Sequence, residues 1–169
     1  MTRDELERIV IRYMDSFTTM TIACSSEDRP WATDVFYARQ GLDLIFFSSP
    51  TSRHCTAFSR NPAAAATIHG DYKGWKKIKG LQMEGQVQRM KGAAVRARAL
   101  AIYLRRYPFV RGFFSKHGVV SQVSKKMAGV DLYAFRPFHI FYTDNEVRFR
   151  TRWKLQVQDG RATGDPILA

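Results

Sequence analysis

The chain has little cysteine, no long apolar run and a shortage of acidic residues. Its two cysteines, Cys24 and Cys55, form no Cys-x-x-Cys pair and have no histidine at metal-finger spacing. That excludes a zinc finger and leaves a disulfide unsupported. They read as two reduced thiols, at least partly buried. The histidines, His54, His69, His117 and His139, are scattered, so no metal is expected. No stretch approaches the roughly 20 apolar residues that span a bilayer. Met1-Thr2-Arg3-Asp4-Glu5 lacks the apolar region of a signal peptide. The expectation is a cytoplasmic chain with no membrane partner. There is no G-x-G-x-x-G and no βαβ alternation, which sets aside a Rossmann domain. No internal repeat, paired carboxylates or Ser/His/Asp pattern appears either.

What is present is a basic globular composition. The 169 residues carry 27 Lys and Arg against 15 Asp and Glu, a net charge of +12. Such a field attracts anions, whether nucleotides, phosphates, anionic lipids or nucleic acid, without choosing among them. The length suits one domain, on a prior of roughly 150 residues each. A chain of this size buries about 70% of its unfolded surface, enough for a core without staples.

Thr2-Arg3-Asp4-Glu5 is a capping box. Leu6, Ile9, Val10, Tyr13, Met14 and Phe17 then recur at helical spacing, which predicts an amphipathic helix over 3–17. From Thr18 the period changes. Strands are predicted over 18–25, 31–38 and 43–48, with turns at Ser26-Glu27-Asp28-Arg29 and Gln40-Gly41. A short helix over 52–59 ends at Asn61-Pro62, and a buried strand covers 63–68. A long strand is expected over 75–90 and a helix over 93–107, with Leu100, Tyr103 and Leu104 on its buried side. Short helical turns are expected over 108–128. Three strands, 130–135, 138–143 and 146–153, close the chain, with Asp144-Asn145 as a tight hairpin turn. The last dozen residues read as a loose tail. Many antiparallel strands with a few helices suggest a closed or half-closed barrel.

One stretch carries chemistry. Phe46-Phe47-Ser48-Ser49 ends a strand in hydroxyls, and Pro50-Thr51-Ser52-Arg53-His54 opens a helix. Backbone N–H groups at a helix start are unpaired, and the dipole there favours an anion. On the residues alone, an ordinary capped helix with a solvated Arg53 accounts for the pattern at least as well as a phosphate cradle. Arg148, Arg150 and Arg152 are expected on one strand face, either as a solvated face or as an anion-attracting wall. Trp75 and Trp153 read as core or as cover for a ligand or seam.

The order of pieces resembles the FMN-binding split-barrel family of pyridoxamine 5'-phosphate oxidase-like proteins, nearest to a small bacterial branch of it. The matching pieces are Arg29 to Tyr37, Phe46 to Ser49, Thr51 to His54, Asn61-Pro62, Lys79 to Gly85, and Thr143-Asp144-Asn145 followed by Arg148-Phe149. The resemblance covers roughly 18–153. It implies a mainly β, α+β fold: an antiparallel Greek-key split β-barrel with flanking helices. It also implies FMN in a groove between the two copies of a homodimer. Ala32, Thr33, Asp34 and Val35 would lie against the flavin ring. Ser48, Ser49, Ser52, Arg53 and His54 would surround the phosphate, Phe47 would also contact the cofactor, and Lys79 and Gln82 would reach the ring or its ribityl chain.

Two departures stand out. The oxidases usually have Ser-Arg-Lys where this chain has Ser52-Arg53-His54, and Arg-Gln where it has Lys79-Gly80. A neutral His keeps one donor but gives up the permanent charge of Lys. The C-terminal signature that recognises the pyridoxal substrate is not evident, which argues against oxidase activity on that substrate. Lys79 and Gln82 also fall on opposite strand faces unless a bulge near Gly80 intervenes. The resemblance implies an FMN-dependent oxidoreductase acting on a small anionic substrate, with no side chain named as catalytic. The alternatives are a non-catalytic or other-cofactor binder on the same fold, holding deazaflavin or haem, and more remotely a basic nucleic-acid binder.

Overall fold

The Thr2 hydroxyl accepts from the Glu5 amide while the Glu5 carboxylate accepts from the Thr2 amide, so the first helix starts at its capping box. The computed structural model describes residues 1–110 and 129–169. Its elements run α1 (Arg3–Ser16), β1 (Thr19–Ser26), β2 (Arg29–Gln40), β3 (Asp43–Ser48), α2 (Arg53–Arg60), β4 (Ala63–His69), β5 (Lys79–Arg89), α3 (Ala93–Arg106), β6 (Asp131–Asp144), β7 (Arg152–Gln158) and β8 (Arg161–Leu168). Among the described residues no helix is long and apolar enough to cross a membrane.

All strand pairings among these residues are antiparallel, in the order β3-β2-β1-β4-β5-β6-β7-β8, and a β3–β6 pairing closes the first six into a barrel. Glu27 and Asp28, both at positive φ, make the tight β1–β2 turn. The barrel is split along β6. Its first half, Asp131 to Phe135, pairs with β3, whereas His139 to Thr143 pairs with β7. The change of partner falls at a bulge, where β6 runs past Gly85 with Phe138 as the extra residue. The second opening lies on β2. Tyr37 to Gln40 pairs with β3, but from Arg29 to Phe36 the strand pairs, among the described residues, on its β1 side alone.

Leu6, Val10 and Met14 of α1 plug the main core against Met20, Ile22, Tyr37, Phe46, Leu81 and Phe135. Each fully buried side chain of this kind is worth about 1.5–3 kcal/mol. The apolar run Leu44 to Phe47 lacks alternation because α3 covers its outer face. Ile45 packs with Met90, Ala99 and Leu132, and Phe47 meets the edge of Tyr103. The buried side of α3 is carried by Ala99 and Tyr103, with Leu100 and Leu104 half-buried. Arg106 then locks α3 to the end of α1, donating to the Phe17 carbonyl at 2.5 Å.

Several expectations change in the last third. The strand expected over 75–90 starts only at Lys79, because Trp75–Lys77 is a 3-10 turn. The strands expected at 130–135 and 138–143 are one, since Pro137 sits in the bulge instead of breaking the strand. The strand expected over 146–153 is instead a loop over 145–151, and β7 begins at Arg152. Arg148 and Arg150 therefore lie in that loop and share no strand face with Arg152. The expected loose tail is β8, hydrogen-bonded to β7. Of the turns expected over 108–128, Pro108–Val110 is a 3-10 turn and 111–128 lie outside the described residues.

Candidate functional site

At the end of β3 the chain turns through Pro50 and Thr51, and Ser52 caps α2 by accepting from the Cys55 amide at 3.3 Å. The turn gathers three predicted site residues. His54 Nε2 lies 2.6 Å from Ser48 Oγ and 3.1 Å from Ser52 Oγ, and the two hydroxyls are 3.4 Å apart. Ser49 turns aside to Thr51 Oγ1 at 2.9 Å. Both clustered hydroxyls can donate to an oxyanion at the positive end of the helix. Behind them, burial would raise the Cys55 thiol. Hydrogen bonds with His54, Ser52, Ser48 and Tyr133 outweigh it and hold the thiol below its usual value. Cys24 and Cys55 are both free and buried. Phe47 packs on α3 and contributes no polar group to the cluster.

Arg53 leaves this cluster and lies over the Trp31 ring, 4.1 Å from its centroid. It lines a cleft of about 290 Å³ with Arg29, Trp31 and Arg60. Trp31 lies on the edge of β2 that is unpaired among the described residues, where alternate residues direct backbone N–H and C=O groups outward. The side chains of that strand divide by parity. Val35 is buried in the core and Thr33 shares its face, whereas Ala32 and Asp34 are exposed. Asp34 accepts from Thr21 Oγ1 at 2.5 Å. Ala32, Ala23 and Ala65 stand side by side across β2, β1 and β4, a flat row without projecting side chains.

Lys79 and Gln82 do not meet. The β5 bulge lies at Gly85, not Gly80, so the two keep opposite faces. Lys79 Nζ is held by Glu146 at 2.5 Å and Asp144 at 3.4 Å, and the Glu146 hydrogen bond leads the effects that raise its pKa. Gln82 instead lines a hollow of about 550 Å³ on the outer face, with Phe141, Thr143, Phe149, Arg150 and Arg152. The Trp75 and Phe149 rings meet tilted by 58°, with centroids 4.6 Å apart, and Trp153 packs partly buried on the main core. Sequence reading missed this hollow. Phe141 is the cross-strand partner of Gln82, a register set 59 residues away in the chain.

No family model matches the chain. A UPF0306 protein of Photorhabdus laumondii is 30% identical over 110 residues, covering 64% of this chain and 76% of that protein. Among solved structures, a putative pyridoxamine 5'-phosphate oxidase from Listeria innocua superposes with a TM-score of 0.63 at 16% identity, over 81% of this chain and 97% of its own. A heme binding protein from Mycobacterium smegmatis gives 0.65 at 16% identity, over 85% of this chain; the chain spans 55% of that structure's length. These likenesses establish the split-barrel fold of the pyridoxamine 5'-phosphate oxidase-like proteins. Within that fold, with its identity carried across three quarters of the Photorhabdus relative, the chain belongs to the UPF0306 family.

Proposed function

We propose that the chain is an FMN-dependent oxidoreductase that exchanges two electrons with a small anionic substrate. It would act as a cytoplasmic homodimer with the cofactor between the two copies. The reading is carried by the Ser48–Ser52–His54 cluster at the start of α2, set at the end of the barrel that also presents Arg53 and the open edge of β2. These residues fit a flavin nucleotide. The hydroxyls and first amides of α2 would hold the phosphate, with Arg53 adding charge. The edge amides and carbonyls of β2, unpaired among the described residues, suit the alternating acceptor and donor edge of a flavin. The alanine row from Ala32 to Ala65 leaves room for a flat ring. Bound flavin would supply the hydride chemistry, and the protein would supply position, hydrogen bonds and exclusion of water. Two free thiols suit a reducing compartment.

The test is an absorption spectrum of freshly purified protein, followed by identification of what denaturation releases. A flavin spectrum with FMN released supports the reading. A colourless protein that also refuses added FMN overturns it. Arg53→Ala should weaken FMN binding by about tenfold, the worth of one charged hydrogen bond. The melting temperature should hardly move, because Arg53 is exposed. A second reading, another cofactor on the same fold, is favoured by the similarity to a heme binding protein and by the charge of +12, which suits an acidic-tailed deazaflavin. A Soret band, or deazaflavin bound far more tightly than FMN, would select it.

A further inference from the structure

Between the end of α2 and the start of α3 lies a groove of about 740 Å³ that the flavin reading does not use. Phe58 and Pro62 line it on the α2 side, Met90 and Ala134 come from the sheet, and Val95 stands in the first turn of α3. Phe58, Met90 and Ala134 are buried and form its floor, whereas Pro62 is exposed and Val95 is 50% exposed. Valine is a weak helix former, so the helix alone does not account for its place there. Among the described residues that line the groove, the one aromatic ring is Phe58, already set edge-on against His54. The remaining apolar surface is aliphatic, and Met90 is flexible enough to follow an irregular chain. The rim is basic. Arg89, Lys91 and Arg136 line the groove, and no acidic residue does among those described. Arg89 is paired with Asp131 and Arg136 lies 3.7 Å from Asp43, whereas Lys91 forms no ion pair among the described residues. Each guanidinium has five donors, so both arginines keep some beyond these contacts.

We infer that this groove binds a soluble amphiphilic anion, an unbranched alkyl chain ending in a carboxylate or phosphate. The chain lies on Met90, Ala134 and Phe58 and covers Val95, and the head meets Lys91 with Arg89 and Arg136 beside it. A volume of about 740 Å³ is the size of a small-molecule site. The aliphatic lining selects a chain over a ring, and the cationic rim selects an anion over an alcohol or amine. Lysine and arginine hold carboxylate and phosphate alike, so the shared chemistry of the head is the oxyanion. The groove is concave, which suits one chain at a time; a lipid surface would be met by protruding apolar groups. The net charge of +12 draws such an anion towards the protein. The inference stands without the flavin, since no residue it depends on belongs to the Ser48–Ser52–His54 cluster or to the alanine row.

The test is a calorimetric titration of the full chain with hexanoate, octanoate and octyl phosphate, in low salt and below micelle formation. Acetate and octanol serve as controls for the head and the tail. Octanoate should bind saturably and about fifteenfold more tightly than hexanoate, at about fourfold per buried methylene. The tighter of octanoate and octyl phosphate identifies the head. Lys91→Gln should weaken binding about tenfold. Val95→Asp should weaken it further while leaving the melting temperature unchanged or higher, because a carboxylate suits the first turn of a helix. The inference is overturned if octanoate binds no more tightly than hexanoate, if octanol binds as tightly, or if both variants bind like the wild type. It is overturned too if the chain sediments with phosphatidylglycerol vesicles yet takes up no soluble alkyl anion. A protein that binds octanoate but not FMN would sink the flavin reading alone.

Discussion

Asp131 shows how single residues hold the split barrel together. It is a buried carboxylate at the start of β6, bound by Arg96 Nη1 at 2.8 Å and paired with Arg89. The Arg96 hydrogen bond, helped by the charge of Arg89, holds its pKa below the ordinary 3.8. The carboxylate thus stays ionised in the fold at pH values where the unfolded chain has begun to take up a proton. The stabilisation is present in full above the unfolded value and is lost as pH falls through the folded one. Asp131→Asn should therefore cost about 1–2 kcal/mol near neutral pH, discounted for the half-exposed arginines. Urea titrations of both proteins should converge as the pH drops below the ordinary carboxylate value of 3.8. A constant gap across that range would mean that shape, not charge, sets the cost. At this scale the sequence was legible where partners are local. The hydroxyls and His54 lie within one turn, so their meeting could be read from spacing. The destination of Arg53 on Trp31 could not be read, nor that of Lys79 on Glu146, because tertiary distance chooses those partners.

The elements repeat that division between local and distant causes. The first half of the fold was readable because each strand ends in a local signal, such as Glu27-Asp28 or Asn61-Pro62. The second half was misread where prolines and glycines sit inside strands. Two strands were expected on either side of Pro137, yet that residue lies in the bulge at which β6 changes partner, where a missing amide does little harm. The last dozen residues, read as a tail, contain Gly164 and Pro166 inside β8. There a register shift sets residues 164–166 against Leu155, and Gly164 takes φ +66. Val147 and Phe149 alternate with charges as a strand would, but both are exposed in a loop. The β6 bulge leads to a direct expectation. A Cβ on Gly85 would lie 2.1 Å from the Arg136 carbonyl oxygen and 2.7 Å from Pro137 Cα, both fixed backbone. Gly85→Ala must therefore push β5 from β6 where the barrel splits, at a cost of roughly 2–4 kcal/mol. For a domain of this size that lowers the melting temperature by about 6–12 °C. A smaller shift in a thermal melt would show that the bulge is soft.

For the whole molecule, the outer face and its charge govern how a second copy would approach. On the outer face of the sheet, Ala23, Ala63, Ala65 and Phe138 line a shallow apolar hollow of about 440 Å³, and the Phe138 side chain is half exposed. A flat, small-residue surface of this kind suits close approach of a second copy, and a stable dimer needs about 800 Å² from each partner. The charge of +12 opposes self-association, so the contact should tighten as salt screens it. Ala65 is exposed in the single chain, so Ala65→Arg should leave the fold intact, within about 0.5 kcal/mol. At the seam of a dimer, the same change places two arginines in a closed contact and should give monomers by light scattering. The alanine row is also the proposed bed for the flavin ring, so the monomeric variant should lose FMN at the same time. If Ala65→Arg stays dimeric and keeps FMN, the seam and the cofactor both lie elsewhere on the barrel. If it becomes monomeric yet keeps FMN, the cofactor belongs to one chain and not to the groove between two.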